Sequence, residues 1–569
     1  MSARKPKKRD RKPAAKPAET TPPSARRCEW CGNLFEGREL AVLLLLWMFA
    51  TALNLTKPYH IDDTGHLEIA QWIIREPWRP MSGQINWYQN TEPIHVLNQP
   101  HLYFYLLAGW GALWGFGEVP MHLLQSFFTL ACIILTYRIA KIIVPSGALL
   151  TTALLMLSPA FVVGQNLMLD VPLLSLWLAF FYVLIAPQFE SETRRFVLTG
   201  FFAGCASLIK YSSLPLTLLM LLCLIIKRHF RLIWTVSIPA MMLILWSCWN
   251  YLDYGSVHML GRRPIPFSWN ELMQMSISWL ICLGAILPYS LIYFRRNSEL
   301  RPKTFSSSVK WLVVILTAMF FAALHLHKLD VSRTEKIFVF LFFTNGIAIV
   351  LTLLWCFLRD WFQTWSQQQQ AILLLYLWVA AGGSFVVLYA PFMATRHVLL
   401  VIVPISLLLA RFVNPPSLAW RSAMLLLTAS LSLVLGVSDW TWANFYREKA
   451  VAIRRELPAT ANVYFTGHWG WQWYAKQNGM KQLEALHPQL EIGDYLVYPL
   501  AVDNQTLKNI PADRQLTLQK IYTEPFSLLT FFSTRDGARF YASDTQTAPW
   551  IISFNAIPPI VVFQVKAKH

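Results

Sequence analysis

Apolar runs broken by short polar stretches recur from residue 40 to residue 438. Fourteen can be counted, at 40–55, 101–116, 120–137, 147–163, 171–186, 196–209, 214–226, 232–250, 273–293, 311–324, 337–357, 371–390, 397–410 and 422–438. A helix needs about 20 apolar residues to cross a bilayer, and repeated stretches near that length predict a polytopic helical membrane protein. Between the first two runs, Leu67, Ala70, Ile73 and Ile74 recur at helical spacing with Glu68, Gln71 and Arg75 between them. That pattern predicts a short amphipathic helix lying on a membrane surface. Segment 101–116 holds Gly109, Gly111 and Gly115 together with Trp110 and Trp114, and it reads as an interfacial helix rather than a crossing.

Charge supports that choice. If 101–116 does not cross, the clusters Arg138/Lys141, Arg194/Arg195, Lys227/Arg228/Arg231, Arg295/Arg296/Arg301/Lys303, Arg359 and Arg411/Arg421 share one side with the basic N-terminal tail. The cytoplasmic excess of cations is then obeyed throughout. Thirteen spans follow, with the N-terminus in the cytoplasm and the chain beyond about residue 440 outside. Within that end, 462–466, 494–499 and 516–522 read as strands and 469–477 as a helix. The expected division is a disordered basic tail (1–37), a transmembrane domain (38–440) whose first outer loop is 57–119, and a small mixed α/β domain (441–569). The expected location is a bacterial inner membrane, with residues 441–569 extracytoplasmic.

The net charge of +18 is concentrated: ten Lys/Arg and two acids fall within the first twenty-seven residues. A Pro/Ala-rich tail of that kind serves orientation and attracts anionic membrane lipid; no folded basic module follows, so no nucleic-acid partner is expected. Cys28 and Cys31 form a lone C-x-x-C, whereas a zinc site wants four ligands. The other six cysteines lie in apolar runs, so no disulfide framework is expected. The long basic region, with no small-residue cleavage site after 40–55, reads as a retained signal anchor.

The same parity gathers polar residues on the outer face. Asp62 and Asp63 follow the first span, Asp170 follows the third, and Lys210 ends another. Asp253, His258, Arg262 and Arg263 share one outer loop, His325, His327 and Lys328 another, and Arg396–His397 opens a span. A carboxylate of tuned pKa can serve as general base toward a hydroxyl, and a guanidinium matches the geometry of phosphate. Plainer readings stand beside these. Asp62–Asp63 and Asp170 can cap helices, Lys210 can snorkel, and the arginines can anchor at the interface. The aromatic stretch His468 to Tyr474 can stack on sugar or pack the small domain down.

Five motifs carry a family resemblance: I-D-D-T-G-H-L (61–67), N-Q-P-H-L-Y-F-Y-L (98–106), N-L-M-L-D-V-P-L (166–173), S-L-I-K-Y-S-S-L-P (207–215) and T-R-H-V-L-L-V-I-V-P (395–404). In this order the chain resembles the GT-C glycosyltransferases of family 39, which include protein O-mannosyltransferases and lipid A aminoarabinose transferases. The resemblance implies an inverting transfer of sugar from a polyprenyl-phosphate donor to an acceptor glycan, lipid or protein. It implies Asp62 as the base on the acceptor hydroxyl, Asp63 and Asp170 as acids of the site, and Lys210 and Arg396 on the donor's phosphate; beside it, Arg262–Arg263 and Arg396–His397 are candidate phosphate clamps by their chemistry, and His66 a candidate substrate ligand. Where aminoarabinose transferases have Glu-Lys before the second interfacial helix this chain has Asn98-Gln99. A divalent cation therefore stays open, and so does the sugar. The competing class is a transporter or lipid flippase, which should show mid-bilayer charges and paired broken spans. The charges here gather at one boundary instead.

Overall fold

The computed structural model describes residues 37–97, 99–261, 268–292, 311–320, 322, 333–361, 367–412, 417–500, 502–524, 539–542, 547–554 and 557–568. Cys28, Cys31, Asn98, Arg262, Arg263, His325, His327 and Lys328 lie outside them. The chain forms two compact units, Met1–Val42 and Leu43–His569; of the first, residues 37–42 are described, as the start of a helix.

Most segments expected to cross fall on helices, but 147–163 divides into two short ones, and 273–293 and 311–324 extend past the described residues. The first run is α1 (Gly37–Asn54). The amphipathic stretch is α2 (Asp63–Arg75) and the short segment is α3 (Leu102–Trp114). Then follow α4 (Glu118–Ile143), α5 (Ala148–Met156), α6 (Pro159–Val163), α7 (Asp170–Ile185), α8 (Glu192–Ile209), α9 (Leu214–Ile226), α10 (Ser237–Tyr254), α11 (Trp269–Ile286), α12 (Trp311–Phe320), α13 (Arg333–Trp361), α14 (Gln367–Tyr389), α15 (Thr395–Ala410) and α16 (Leu418–Glu456). Among the described residues six helical stretches are long and apolar enough to cross a membrane: α1, α4, Phe230–Tyr254 ending in α10, α13, α14 and α16. The chain is a polytopic helical membrane protein.

Helices α7 and α15 sit at the centre. All of α15 except Arg396 is buried, and α7 is buried almost throughout. A helix apolar on every side belongs inside a bundle, and α7 packs on α4, α8 and α15. Trp378 of α14 stacks on Phe181 at 4.1 Å, and Trp177 Nε1–H donates to Ser213 Oγ at 2.8 Å. Helices α11 and α13 approach through glycines. A Cβ on Gly284 would stand 1.9 Å from the Phe342 carbonyl oxygen, and one on Gly346 2.0 Å from that of Leu280. Only a residue without a side chain lets these backbones touch.

The chain between α2 and α3 carries a hairpin, β1 (Gln84–Asn86) against β2 (Thr91–Pro93). The C-terminal region adds β3 (Val463–Phe465), α17 (Trp469–Gln477), β4 (Lys481–Gln482), β5 (Tyr495–Pro499), β6 (Arg514–Tyr522) and β7 (Ile560–Ala567). These strands make one sheet in the order β4-β3-β5-β7-β6, with β3 parallel to both neighbours and β7 antiparallel to both of its own. Helix α16 runs unbroken through the boundary expected at 440/441. The hairpin is tied to this region: Ala485 N–H donates to Gln89 O at 3.0 Å and Leu486 N–H to Asn90 Oδ1 at 2.9 Å. The apolar face of α2 is covered by protein, α3 on one side and α17 on another.

Candidate active site

Four separate stretches bring charged side chains to one place. Asp62 stands at the N-cap position of α2, yet its side chain makes no capping hydrogen bond. Asp170 is the first residue of α7, Lys210 the residue that ends α8 and Arg396 the second residue of α15. Arg396 Nη2 lies 3.3 Å from Asp62 Oδ2 and its Nε 3.8 Å from Asp170 Oδ2. Lys210 Nζ donates to Asp170 Oδ1 at 3.1 Å. The guanidinium also lies over the Phe392 ring, 5.6 Å from its centroid. Asp170 and Arg396 are largely buried, while Asp62 and Lys210 keep about a quarter to a third of their side-chain surface exposed, 30% and 26%.

All four line a cavity of about 1230 Å³, together with His66 and His397. Pockets for drug-sized ligands run to about 1,000 Å³, so this one has room for more than a headgroup. His66 Nδ1–H donates to Leu167 O at 2.8 Å, which leaves Nε2 as the acceptor in the neutral ring. Burial pushes the His66 imidazole below its ordinary range, toward that neutral form. Trp87, Tyr88, Glu92, His95 and Tyr254 also line the cavity; His95 stacks on Tyr254 at 4.4 Å, nearly parallel. Among the described residues no group of three or more His, Cys, Asp or Glu is arranged to hold a metal ion.

Residues 98–251 match the family model described as dolichyl-phosphate-mannose-protein mannosyltransferase. The match covers about a quarter of the chain, and over that segment the chain is similar to this family. No curated protein matches it. Solved structures to which it is similar include ArnT from Cupriavidus metallidurans bound to undecaprenyl phosphate, at 14% identity and TM-score 0.39 over 81% of this chain and 92% of that one. The S. cerevisiae protein O-mannosyltransferase Pmt1-Pmt2 complex bound to the sugar donor matches at 18% identity and TM-score 0.31, over 39% and 35%. The arabinofuranosyltransferase AftD from Mycobacteria matches at 13% and 0.41, over 94% and 40%.

The fold separates the two adjacent aspartates. Asp63 is fully buried and does not line the cavity. Its Oδ2 accepts from His60 N–H at 2.9 Å, and burial pushes its carboxyl up to about 7. The expected acidic pair is therefore one cavity carboxylate and one interior one. Arg262 and Arg263 fall outside the described residues. Asp253 and His258, expected with the outer-face cluster, act as struts. Asp253 accepts from Met81 N–H at 2.7 Å and from Ser82 Oγ–H. His258 Nδ1 accepts from Tyr211 O–H at 3.0 Å and Nε2–H donates to Leu97 O at 2.7 Å. The aromatic stretch at 468–474 packs into protein: Trp473 meets Tyr59 edge-on at 5.3 Å.

Sequence reasoning missed the buried polar cluster behind Asp62. Lys57 Nζ donates to Asp439 and to Asn166, and Tyr541 O–H donates to Asp439 Oδ2 at 2.8 Å. His60 Nε2 lies 3.5 Å from Asp439 Oδ1, and burial pushes its imidazole down to about 4. The available signal was Asp439 itself, a lone acid directly after the apolar run 422–438.

Proposed function

We propose that this glycosyltransferase moves a sugar from a polyprenyl-phosphate donor to an acceptor hydroxyl, inverting the anomeric centre, with Asp62 as general base. One observation carries the reading. Asp62, Asp170, Lys210 and Arg396, up to 334 positions apart in the chain, meet in one cavity through ion pairs of 3.1 to 3.8 Å. The family matched over 98–251 is described by a dolichyl-phosphate sugar, which supports the donor class.

The chemistry follows from the charges. Asp62 takes the acceptor's hydroxyl proton as the acceptor oxygen bonds to the anomeric carbon. The bond from that carbon to the phosphate oxygen breaks, and its electron pair leaves with the lipid phosphate. Arg396 and Lys210 meet the charge that develops on this phosphate. Asp170 holds both cations in place beforehand, so less ordering remains for the reaction itself. His66 and His397 supply the adjoining wall. No step in this reading passes through a metal ion. The acceptor is read only as a hydroxyl carrier, on a glycan, lipid or protein. The cavity is read as extracytoplasmic, at the outer face of a bacterial inner membrane.

The test is Asp62→Asn in purified protein with a polyprenyl-phosphate sugar. Transfer should fall by about a thousandfold or more, while expression and retention of the lipid phosphate stay at the wild-type level. Transfer at the wild-type rate would remove Asp62 as the base.

A further inference from the structure

Ile61, the residue before Asp62, has φ +50°, and Trp469 has φ +63°. For bulky or β-branched side chains this left-handed region is a real outlier. Such strain persists only where the surroundings over-determine it. The segments that carry these two residues touch. A Cβ on Gly470 would stand 2.0 Å from the Tyr59 carbonyl oxygen, so the start of α17 touches the Tyr59 backbone directly. Thr64 Oγ1–H donates to Trp469 O at 2.6 Å, and Tyr59 N–H donates to Tyr474 OH at 2.8 Å. Behind the turn lies the fully buried Lys57–Asp439 pair, braced by Asn166 and Tyr541. A buried ion pair is a weak source of stability, since apolar side chains of similar size do as well. What it can supply is a fixed position for the groups it joins.

We infer that the Lys57–Asp439 pair and the Trp469–Gly470 backbone are positioning elements, which hold the Tyr59–Ile61 turn so that Asp62 faces the cavity while Asp63 faces the interior. The C-terminal region thereby sets the aim of the base. This rests on the reading of Asp62 above. Lys57, Asp439 and Gly470 touch no reacting atom; they act through the backbone that carries Asp62.

The test uses the full chain in two variants, the double Lys57→Met/Asp439→Leu and the single Gly470→Ala. The double variant removes both charges together and leaves none unpaired. Its melting temperature should fall by a few degrees at most, since Asn166 and Tyr541 each lose one partner, kcat should fall about tenfold or more, beyond what that loss of stability explains, and donor KM should stay within about twofold. Amides of residues 59–63 should exchange with solvent faster. Gly470→Ala should move kcat and amide exchange the same way. Wild-type kcat with unchanged exchange in both variants overturns the inference, and so does a loss of kcat that only tracks a lowered melting temperature. If Asp62→Asn transfers sugar normally, the base assignment fails by itself. Exchange at 59–63 in the two variants then still decides whether the clamp exists.

Discussion

Asp170 holds two cations at once, Lys210 at 3.1 Å and Arg396 at 3.8 Å. Asp170→Asn keeps the shape and removes the charge that orients them. Donor KM should rise about tenfold, with a smaller fall in kcat, in steady-state kinetics with the lipid donor; an unchanged KM would separate Asp170 from donor binding. Asp63 makes a different residue-scale prediction. Folding raises its carboxyl from the usual range near 4 to about 7, so the folded state favours the protonated form. Its contribution to stability is complete below about pH 4 and is lost as pH rises toward 7. Asn at this position has no such titration. The melting temperature of Asp63→Asn relative to wild type should therefore climb between pH 4 and pH 7 and level off above. A difference that is flat with pH would show that the carboxyl is not buried as described.

The elements divide into those that hold the bundle and those that aim the site. Helices α11 and α13 belong to the first kind, meeting through Gly284 and Gly346. Gly284→Ala drives a Cβ into the Phe342 carbonyl, and overpacking of that kind costs about 1–3 kcal/mol. The variant should melt a few degrees lower, with donor KM near wild type because neither glycine lines the cavity. Helices α2 and α17 belong to the second kind. Of the apolar stripe read at Leu67, Ala70, Ile73 and Ile74, the first three are buried and Ile74 is exposed, while Ile69 and the polar start of the helix at Asp63 to His66 are buried too. What covers the stripe was not legible: it reads as a membrane-surface face and is covered instead by α3 and α17. Periodicity fixes which face is apolar but carries no information on which apolar partner meets it.

At the scale of the whole chain, the order of apolar runs against cationic loops sets a topology that labelling can check. If an odd number of crossings separates it from the basic tail, as the thirteen-span reading has it, an exposed cysteine placed by Lys508→Cys should react with a membrane-impermeant maleimide in intact cells. Reaction only after lysis would overturn the thirteen-span orientation. The amino-acid sequence by itself determined where most of the apolar helices lie, since length and composition go far toward making one, though it did not show that 147–163 divides into two. It also determined the chemical types at the site, because an acid or an arginine at a membrane boundary is costly enough to stand out. Only the tertiary structure decided that Arg396 bridges Asp62 and Asp170, that Asp63 turns inward, and that Lys57 finds Asp439 across 382 positions. The reason is physical. Pairing and burial depend on distances between segments far apart in sequence, and the backbone strain at Ile61 exists only because those segments close around it.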